Sequence, residues 1–273
     1  DMYLGSRSIP KGYGLSPYSA LLKNTQEFNF ELIERKRLGM VTDSEFADLN
    51  GDGWLDLIVV GDWMPVTVWM NQGDGTFKDE TASLGLDKTE GFWNCITTTD
   101  LDGDGQLDLL VGNAGLNMKW QASEQKPITL FLDDYDENQQ VDPIIFYWMQ
   151  DRQVPFASKD KITGQLPPLK KTFTDYKSFT KAKDISGLTG KKEVLETKQV
   201  RELRSMAYLN QGASGFVGVP LPNIAQRSSI QDFAVDPESP GQIWYVGNYS
   251  GYVTELGVNK AQAGGILSEF GEQ

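Results

Sequence analysis

The sequence predicts an all-β fold of repeated short-stranded units, with one largely helical stretch set into it. Three observations carry that prediction. An Asp/Gly-rich loop followed at once by an apolar β-type run occurs twice in nearly the same form, at Asp48–Gly61 and Asp100–Gly112. Short apolar runs separated by Gly/Asp turns recur along most of the chain, which is the cadence of strands and not of helices. The 273 residues include 28 glycines, thirteen phenylalanines, ten tyrosines and seven tryptophans, as a sheet-rich chain with many tight turns requires.

The first copy of the loop reads Asp48-Leu-Asn50-Gly51-Asp52-Gly53-Trp54-Leu-Asp56 and the second Asp100-Leu-Asp102-Gly103-Asp104-Gly105-Gln106-Leu-Asp108. Oxygen-bearing side chains fall at loop positions one, three, five and nine, with glycine at four and six. Oxygens two residues apart on a tight loop converge on one point, and a backbone carbonyl at position seven can complete the shell, as a hard cation such as Ca²⁺ requires. An EF-hand is excluded, because its twelfth position must carry a bidentate Glu. Here that position holds Val59 or Val111, inside runs that read as strands. The alternative for each loop is a solvated acidic turn without metal.

Residues Asp1 to Gly5 repeat the tail of this pattern, an Asp, a strand and a Gly, with the first eight loop positions missing. The chain is therefore expected to be cut from a longer protein in the middle of a repeat. Ser19–Leu22 and Phe28–Ile33 follow as short strands around a turn at Lys23–Glu27. From Val41 onward come the first metal loop and its strand, Gly61-Asp-Trp-Met-Pro65, a strand at Val66–Met70, and the turn Asn71 to Phe77 with a last strand entering Thr81. Four strands in roughly 50 residues is the pattern of one propeller blade. The same events restart at Trp93 and run to Gly112-Asn-Ala-Gly-Leu-Asn117.

A third acidic loop, Asp134-Tyr-Asp136-Glu-Asn138-Gln-Gln140-Val-Asp142, keeps oxygens at positions one, three, five and nine but has Gln139 in place of glycine at six. Strands Ile128–Leu132 and Ile144–Trp148 flank it. From 150 to 204 the character changes. Lys159 to Arg204 holds twelve Lys and Arg against six acidic residues. Phe173, Tyr176, Phe179 and Thr180 recur at helical spacing, and Val194, Leu195 and Val200 resemble a second amphipathic segment. The expected division is blades with calcium loops over 1–149, a helical, basic insertion over 150–204, and further blades over 205–273. The turn Asn210 to Phe216 echoes Asn71 to Phe77, and a last unit from Ile230 to Gly247 has Pro237, Ser239, Pro240 and Gln242 where ligands are needed.

Composition excludes several classes of function. The net charge of −13 makes nucleic acid and anionic membrane poor partners. With no histidine, the commonest general base, the Ser-His and Cys-His pairs and the usual zinc ligands are absent. The single cysteine, Cys95, forms no intrachain disulfide and reads as a small buried side chain. No stretch approaches the roughly 20 apolar residues of a membrane helix.

These repeats resemble the FG-GAP/VCBS repeats of integrin α-like β-propellers, and most closely those of Bacteroidetes-type secreted or outer-membrane VCBS proteins associated with ASPIC/UnbV segments. Gly5-Ser-Arg7-Ser-Ile-Pro10, Gly61-Asp-Trp-Met-Pro65, Gly112-Asn-Ala-Gly-Leu-Asn117, Gly247-Asn-Tyr and Leu166-Pro-Pro-Leu-Lys-Lys-Thr-Phe173 carry the likeness. It implies a calcium-binding propeller, typically seven-bladed. Carried over by position, the ligands are Asp48, Asn50, Asp52, Trp54 and Asp56, then Asp100, Asp102, Asp104, Gln106 and Asp108. A third site adds Asp134, Asp136, Asn138, Gln140 and Asp142. Trp54, Gln106 and Gln140 act through backbone oxygen. Only about five blade-like units are counted, so closure calls for further chain, and the insertion departs from the integrin plan.

The leading functional expectation is a non-enzymatic binding or adhesion module, part of a longer surface protein, that recognises a protein or glycan. Loops of this kind suit millimolar calcium, placing it outside the cell, at the cell surface, outer membrane or periplasm. The alternative is a polysaccharide lyase or glycoside hydrolase on a calcium propeller, with Asp62, Asp79 and Glu80 as carboxylates outside the metal loops. Tryptophans discriminate between ligands. Of Trp63, Trp69, Trp93, Trp120 and Trp148, two or three coplanar on one face favour a glycan, whereas burial of all of them, the commoner state of Trp in strands, weakens that reading.

Overall fold

The computed structural model describes residues 1–236, 239–251 and 256–268. They form five antiparallel sheets. The first joins β1 (Met2–Leu4), β2 (Ser19–Gln26) and β3 (Asn29–Lys36). The second runs β4 (Met40–Ala47), β5 (Asp56–Met64), β6 (Thr67–Asn71) and β7 (Phe77–Asp79), with β8 (Gly91–Phe92) on the end of β5. The third begins with β9 (Cys95–Thr99) and β10 (Asp108–Gly112). Its outer strands are β15 (Met206–Asn210) and β16 (Phe216–Pro220), which lie far along the chain. Between them stands a fourth sheet of β11 (Ile128–Asp133), β12 (Asp142–Met149), β13 (Arg152–Pro155) and β14 (Glu196–Val200), ordered β13-β12-β11-β14. The fifth holds β17 (Ile230–Asp236), β18 (Ser239–Gly247) and β19 (Gly265–Ser268). The protein is mostly β, as its sequence predicts, and no closed sheet forms among the described residues.

Period-two alternation stacks four of these sheets face to face. On β5, Leu57 and Val59 pack toward the first sheet beside Trp69, whereas Ile58 and Val60 pack toward the third. On β10, Leu109 and Val111 join that second-to-third core, and Leu110 turns to the fifth sheet against Ile230, Phe233 and Ile243. Strands buried on both faces need apolar residues without interruption, which is why β5 and β10 read as continuous runs. The glycines ending these strands are forced by close approach. A Cβ on Gly61 stands 2.1 Å from Met40 O, and one on Gly247 stands 2.1 Å from Ser229 O.

The fourth sheet is set into the third along the chain. β10 pairs with β15 and β11 pairs with β14, so residues 113–205 form one excursion from within the third sheet. Its inner face, with Ile128, Leu130, Leu132 and Tyr147, packs on Met40, Trp63, Phe92 and Trp120. Its outer face, with Ile144 and Phe146, is covered by α1 (Lys159–Gln165), α2 (Tyr176–Phe179) and α3 (Ile185–Thr189). These helices are short. Asp175 and Asp184 cap two of them by accepting from Ser178 N and Gly187 N.

Two local expectations are corrected. Lys23–Gln26 is strand, and the turn is the pair Glu27 and Phe28, both at positive φ (47° and 65°), which closes a two-residue hairpin. Val200 is buried in β14 and Leu195 is exposed, so Val194, Leu195 and Val200 are no amphipathic helix: the β-branched residues there pair with β11 instead. Trp63, Trp69, Trp93 and Trp120 are buried and Trp148 is half-buried, so these five offer no open stacking face. Cys95 is buried and unpaired, and burial pushes its thiol well above the ordinary range. Pro237, expected to interrupt the last loop, lies outside the described residues.

Candidate functional site

The three acidic loops share one conformation. In each, the position-seven backbone N–H donates to the position-five side chain. Trp54 N reaches Asp52 Oδ1, Gln106 N reaches Asp104 Oδ1 and Gln140 N reaches Asn138 Oδ1, all at 2.8 Å. The first carboxylate pins the turn from inside. Asp48 accepts from Gly51 N and Gly53 N at 2.8 Å, Asp100 from Gly103 N and Gly105 N at 2.8 and 3.0 Å, and Asp134 from Asn138 N and Gln139 N at 2.9 and 2.7 Å. Positions four and six adopt positive φ throughout: 75° and 87° for Gly51 and Gly53, 79° and 88° for Gly103 and Gly105, and 62° and 68° for Glu137 and Gln139.

The ninth residue fastens the first two loops to their sheets. Asp56 and Asp108, fully buried at the starts of β5 and β10, each accept two backbone N–H groups. Leu49 N and Asn71 N reach Asp56 at 3.0 and 2.8 Å, and Leu101 N and Asn210 N both reach Asp108 at 2.7 Å. Asn71 and Asn210 are the residues sequence reasoning missed. The Asn71 side chain also donates to Leu55 O, and that of Asn210 to Leu49 O and Leu107 O. Their signal was the repeated Asn-Gln-Gly turn.

The loops differ in how their carboxylates gather. Single oxygens of Asp100, Asp102 and Asp108 lie within 4.8 Å of one another, as do those of Asp134, Asp136 and Asp142. Either set can hold a metal ion, since oxygens ringing one Ca²⁺ at about 2.3–2.6 Å sit at such separations. In the first loop Asp48, Asp52 and Asp56 make no such cluster. Asn50 occupies the place of Asp102 there, and its amide donates to Asp52 Oδ2 at 2.9 Å. A carboxamide donates to the neighbouring carboxylate, whereas Asp102 has no donor to offer and only accepts, from Asp104 N at 3.2 Å.

Electrostatics and hydrogen bonding point the same way. Burial raises the carboxyl pKa of Asp56, Asp108 and Asp142, and neighbouring loop aspartates push each further up. A bound dication reverses that balance. In the third loop Asp136 Oδ1 and Asp142 Oδ2 are buried without any protein donor, the signature of a position a cation fits. The other Asp142 oxygen accepts from Gln165 Nε2 of α1 at 3.0 Å, and Lys191 Nζ binds Asp133 at 3.0 Å beside the loop.

A cavity of about 430 Å³ lies at the end of β5 away from its acidic loop. Asp56 opens β5 and Asp62 stands near its close, so at about 3.3 Å per residue loop and cavity are some 20 Å apart. Arg7, Asp62 and Tyr249, from three of the Gly-led landmark motifs, converge there between the blades and the inserted sheet. Arg7 Nε and Nη2 both hold Asp62 Oδ2 at 2.9 Å. Burial raises the Asp62 carboxyl pKa, and the Arg7 charge opposes that rise. Asp62 is the one carboxylate among the described lining residues. Asp79 sits two strands away and opposite Leu57, on the order of 20 Å from Asp62 by strand geometry. Glu80 beside it is bound to Lys78 and Ser83. Asp62 is therefore too far from Asp79 and Glu80 to act with either as a catalytic pair.

Residues 48–111 match the family model for an FG-GAP-like repeat. The match starts on the first residue of one loop and ends in the strand after the next. No curated protein matches the chain. No helix among the described residues is long and apolar enough to cross a membrane.

Proposed function

We propose that the chain is a calcium-stabilised, non-enzymatic binding module that works outside the cell and recognises a protein or glycan ligand. The observation that carries this reading is the FG-GAP-like repeat match, because it spans both blade loops and no more. In this reading calcium is structural. Asp48, Asn50, Asp52, Asp56 and the Trp54 carbonyl hold one ion. Asp100, Asp102, Asp104, Asp108 and the Gln106 carbonyl hold a second. Asp134, Asp136, Asn138, Asp142 and the Gln140 carbonyl hold a third. Without the ion, clustered carboxylates repel and buried oxygens lack partners, so binding it adds directly to folding stability.

The stacked sheets act as blades of a larger propeller of the VCBS type, seven-bladed when complete, with 113–205 as an insertion over one end. Millimolar calcium outside the cell saturates loops of low affinity, which accounts for placing the module on a surface or in the periplasm. Burial of Trp63, Trp69, Trp93 and Trp120 counts against a glycan stacked on those rings, while Trp54 and Trp244 stay exposed.

The test is calorimetric titration of Ca²⁺ into EDTA-stripped protein with the melting temperature followed in parallel. The expected result is two or three sites and a melting temperature that climbs with free calcium. An unmoved melt and no heat of binding would reduce the loops to turns and remove the extracellular argument.

A further inference from the structure

Asn50-Gly51, in the first acidic loop, is the one place in the sequence where asparagine precedes glycine. The backbone nitrogen that follows an asparagine can attack that asparagine's own carboxamide carbon, and a side chain on the following residue ordinarily shields it. Gly51 has none. It is exposed, its φ is 75°, and even a Cβ built there meets no atom within 4 Å. Nothing packed on the loop blocks closure of a five-membered ring.

The loop also supplies the catalysis that this closure needs. Gly51 N, the nucleophile, donates to Asp48 Oδ1 at 2.8 Å, so a carboxylate stands where the proton is lost. Negative charge develops on Asn50 Oδ1, which accepts from Asp52 N at 3.0 Å, a donor shared with Asp48 Oδ1 at 3.1 Å. A base at the nucleophile and a donor at the oxyanion are both in place before reaction. The second loop repeats the first of these contacts, with Gly103 N donating to Asp100 Oδ1 at 2.8 Å. There Asp102 presents a carboxylate, whose charge repels a nucleophile. Asn113 and Asn210 are buried, and alanine and glutamine follow them.

We propose that Asn50 is a deamidation site at which the first loop converts its own asparagine. Gly51 N bonds to Asn50 Cγ as its proton passes to Asp48. The Cγ–Nδ2 bond then breaks, and the nitrogen takes that proton and leaves as ammonia. Water opens the remaining succinimide. Attack at Cγ gives aspartate, and attack at the backbone carbonyl gives isoaspartate, with the chain running through the side chain. The aspartate product carries the residue that the second loop holds as Asp102, which clusters there with Asp100 and Asp108. The isoaspartate product lengthens the backbone by one atom and spoils the loop. Ageing therefore alters the first loop and spares the second. The reaction needs no cation and goes beyond the reading of the chain as a calcium-stabilised module.

The test is peptide mapping by mass spectrometry of the full chain aged in EDTA at mildly alkaline pH, with fragmentation that separates aspartate from isoaspartate. Asn50 should convert ahead of every other asparagine. Asp48→Asn keeps an acceptor for Gly51 N but removes the base. It should slow conversion at least about tenfold in the folded protein and have little effect in urea, where the loop holds no shape. Gly51→Ala, whose Cβ enters open space, should slow conversion in both conditions. Asn50 left intact, equal rates in the wild type and in folded Asp48→Asn, or undiminished conversion in Gly51→Ala overturns the proposal. Calcium titration of unaged protein is read separately, so either reading can fail while the other stands.

Discussion

The blade loop at Asp100–Asp108 and the hairpin loop at Asp134–Asp142 reach one carboxylate geometry by different routes. In the blade, glycines take the left-handed positions and the ninth aspartate is tied to backbone on both sides. In the hairpin, Glu137 and Gln139 take the same positive φ, and the ninth aspartate is tied to a helix side chain while one oxygen is left without a donor. The loop's shape is therefore set by backbone conformation and by the first carboxylate, with glycine only lowering its cost. The loop at Asp100–Asp108 is stitched into the sheet, and that at Asp134–Asp142 is left poised, with Asp136 Oδ1 and Asp142 Oδ2 lacking a protein donor. Loss of metal should accordingly be felt unequally, most in the hairpin.

Asp108→Ala should have the largest effect. It strands two buried N–H groups, Leu101 and Asn210, at about 1–3 kcal/mol each, so a loss of about 2–6 kcal/mol is expected by urea unfolding even in EDTA. Asp142→Ala should cost less in EDTA, since its Oδ1 partner is the Gln165 side chain, which can turn to other partners. Equal losses in EDTA would erase the distinction between a stitched loop and a poised one.

Asp136→Asn comes next and should change sign with calcium. In EDTA it removes one charge from a crowded cluster and gives a buried, unpartnered position a donor, for a gain of about 1 kcal/mol. In calcium it removes a charged ligand and should lower the melting temperature. A single sign under both conditions would mean that the third cluster holds no ion.

Much of this was legible in the sequence where the signal is local. The loops, their strands, the burial of Cys95 and the strand-ending glycines follow from short patterns whose physics is complete within about ten residues. The excursion was not legible, because an acidic loop between two strands looks alike in a blade and in an inserted hairpin. Only the pairing of β10 with β15 and of β11 with β14, across the helices, separates them. The cavity was hidden for the same reason. Arg7 and Asp62 meet across 55 residues, and nothing near either one announces the other.

The smallest effect gives the sharpest comparison, because it asks whether the two loops share a backbone and nothing else. A Cβ on Gly105 meets no atom within 4 Å, so Gly105→Ala costs only the left-handed conformation, offset in part by the lower chain entropy of alanine. A net loss of about 0.5–1 kcal/mol is expected. Gln139 has the reverse situation, with φ of 68° and a backbone N–H already serving Asp134. Gln139→Gly should therefore gain a similar amount, read as opposite shifts in urea midpoint at unchanged slope. If Gln139→Gly destabilises instead, the glutamine side chain contributes to the loop, and the hairpin is held by contacts that no blade loop has.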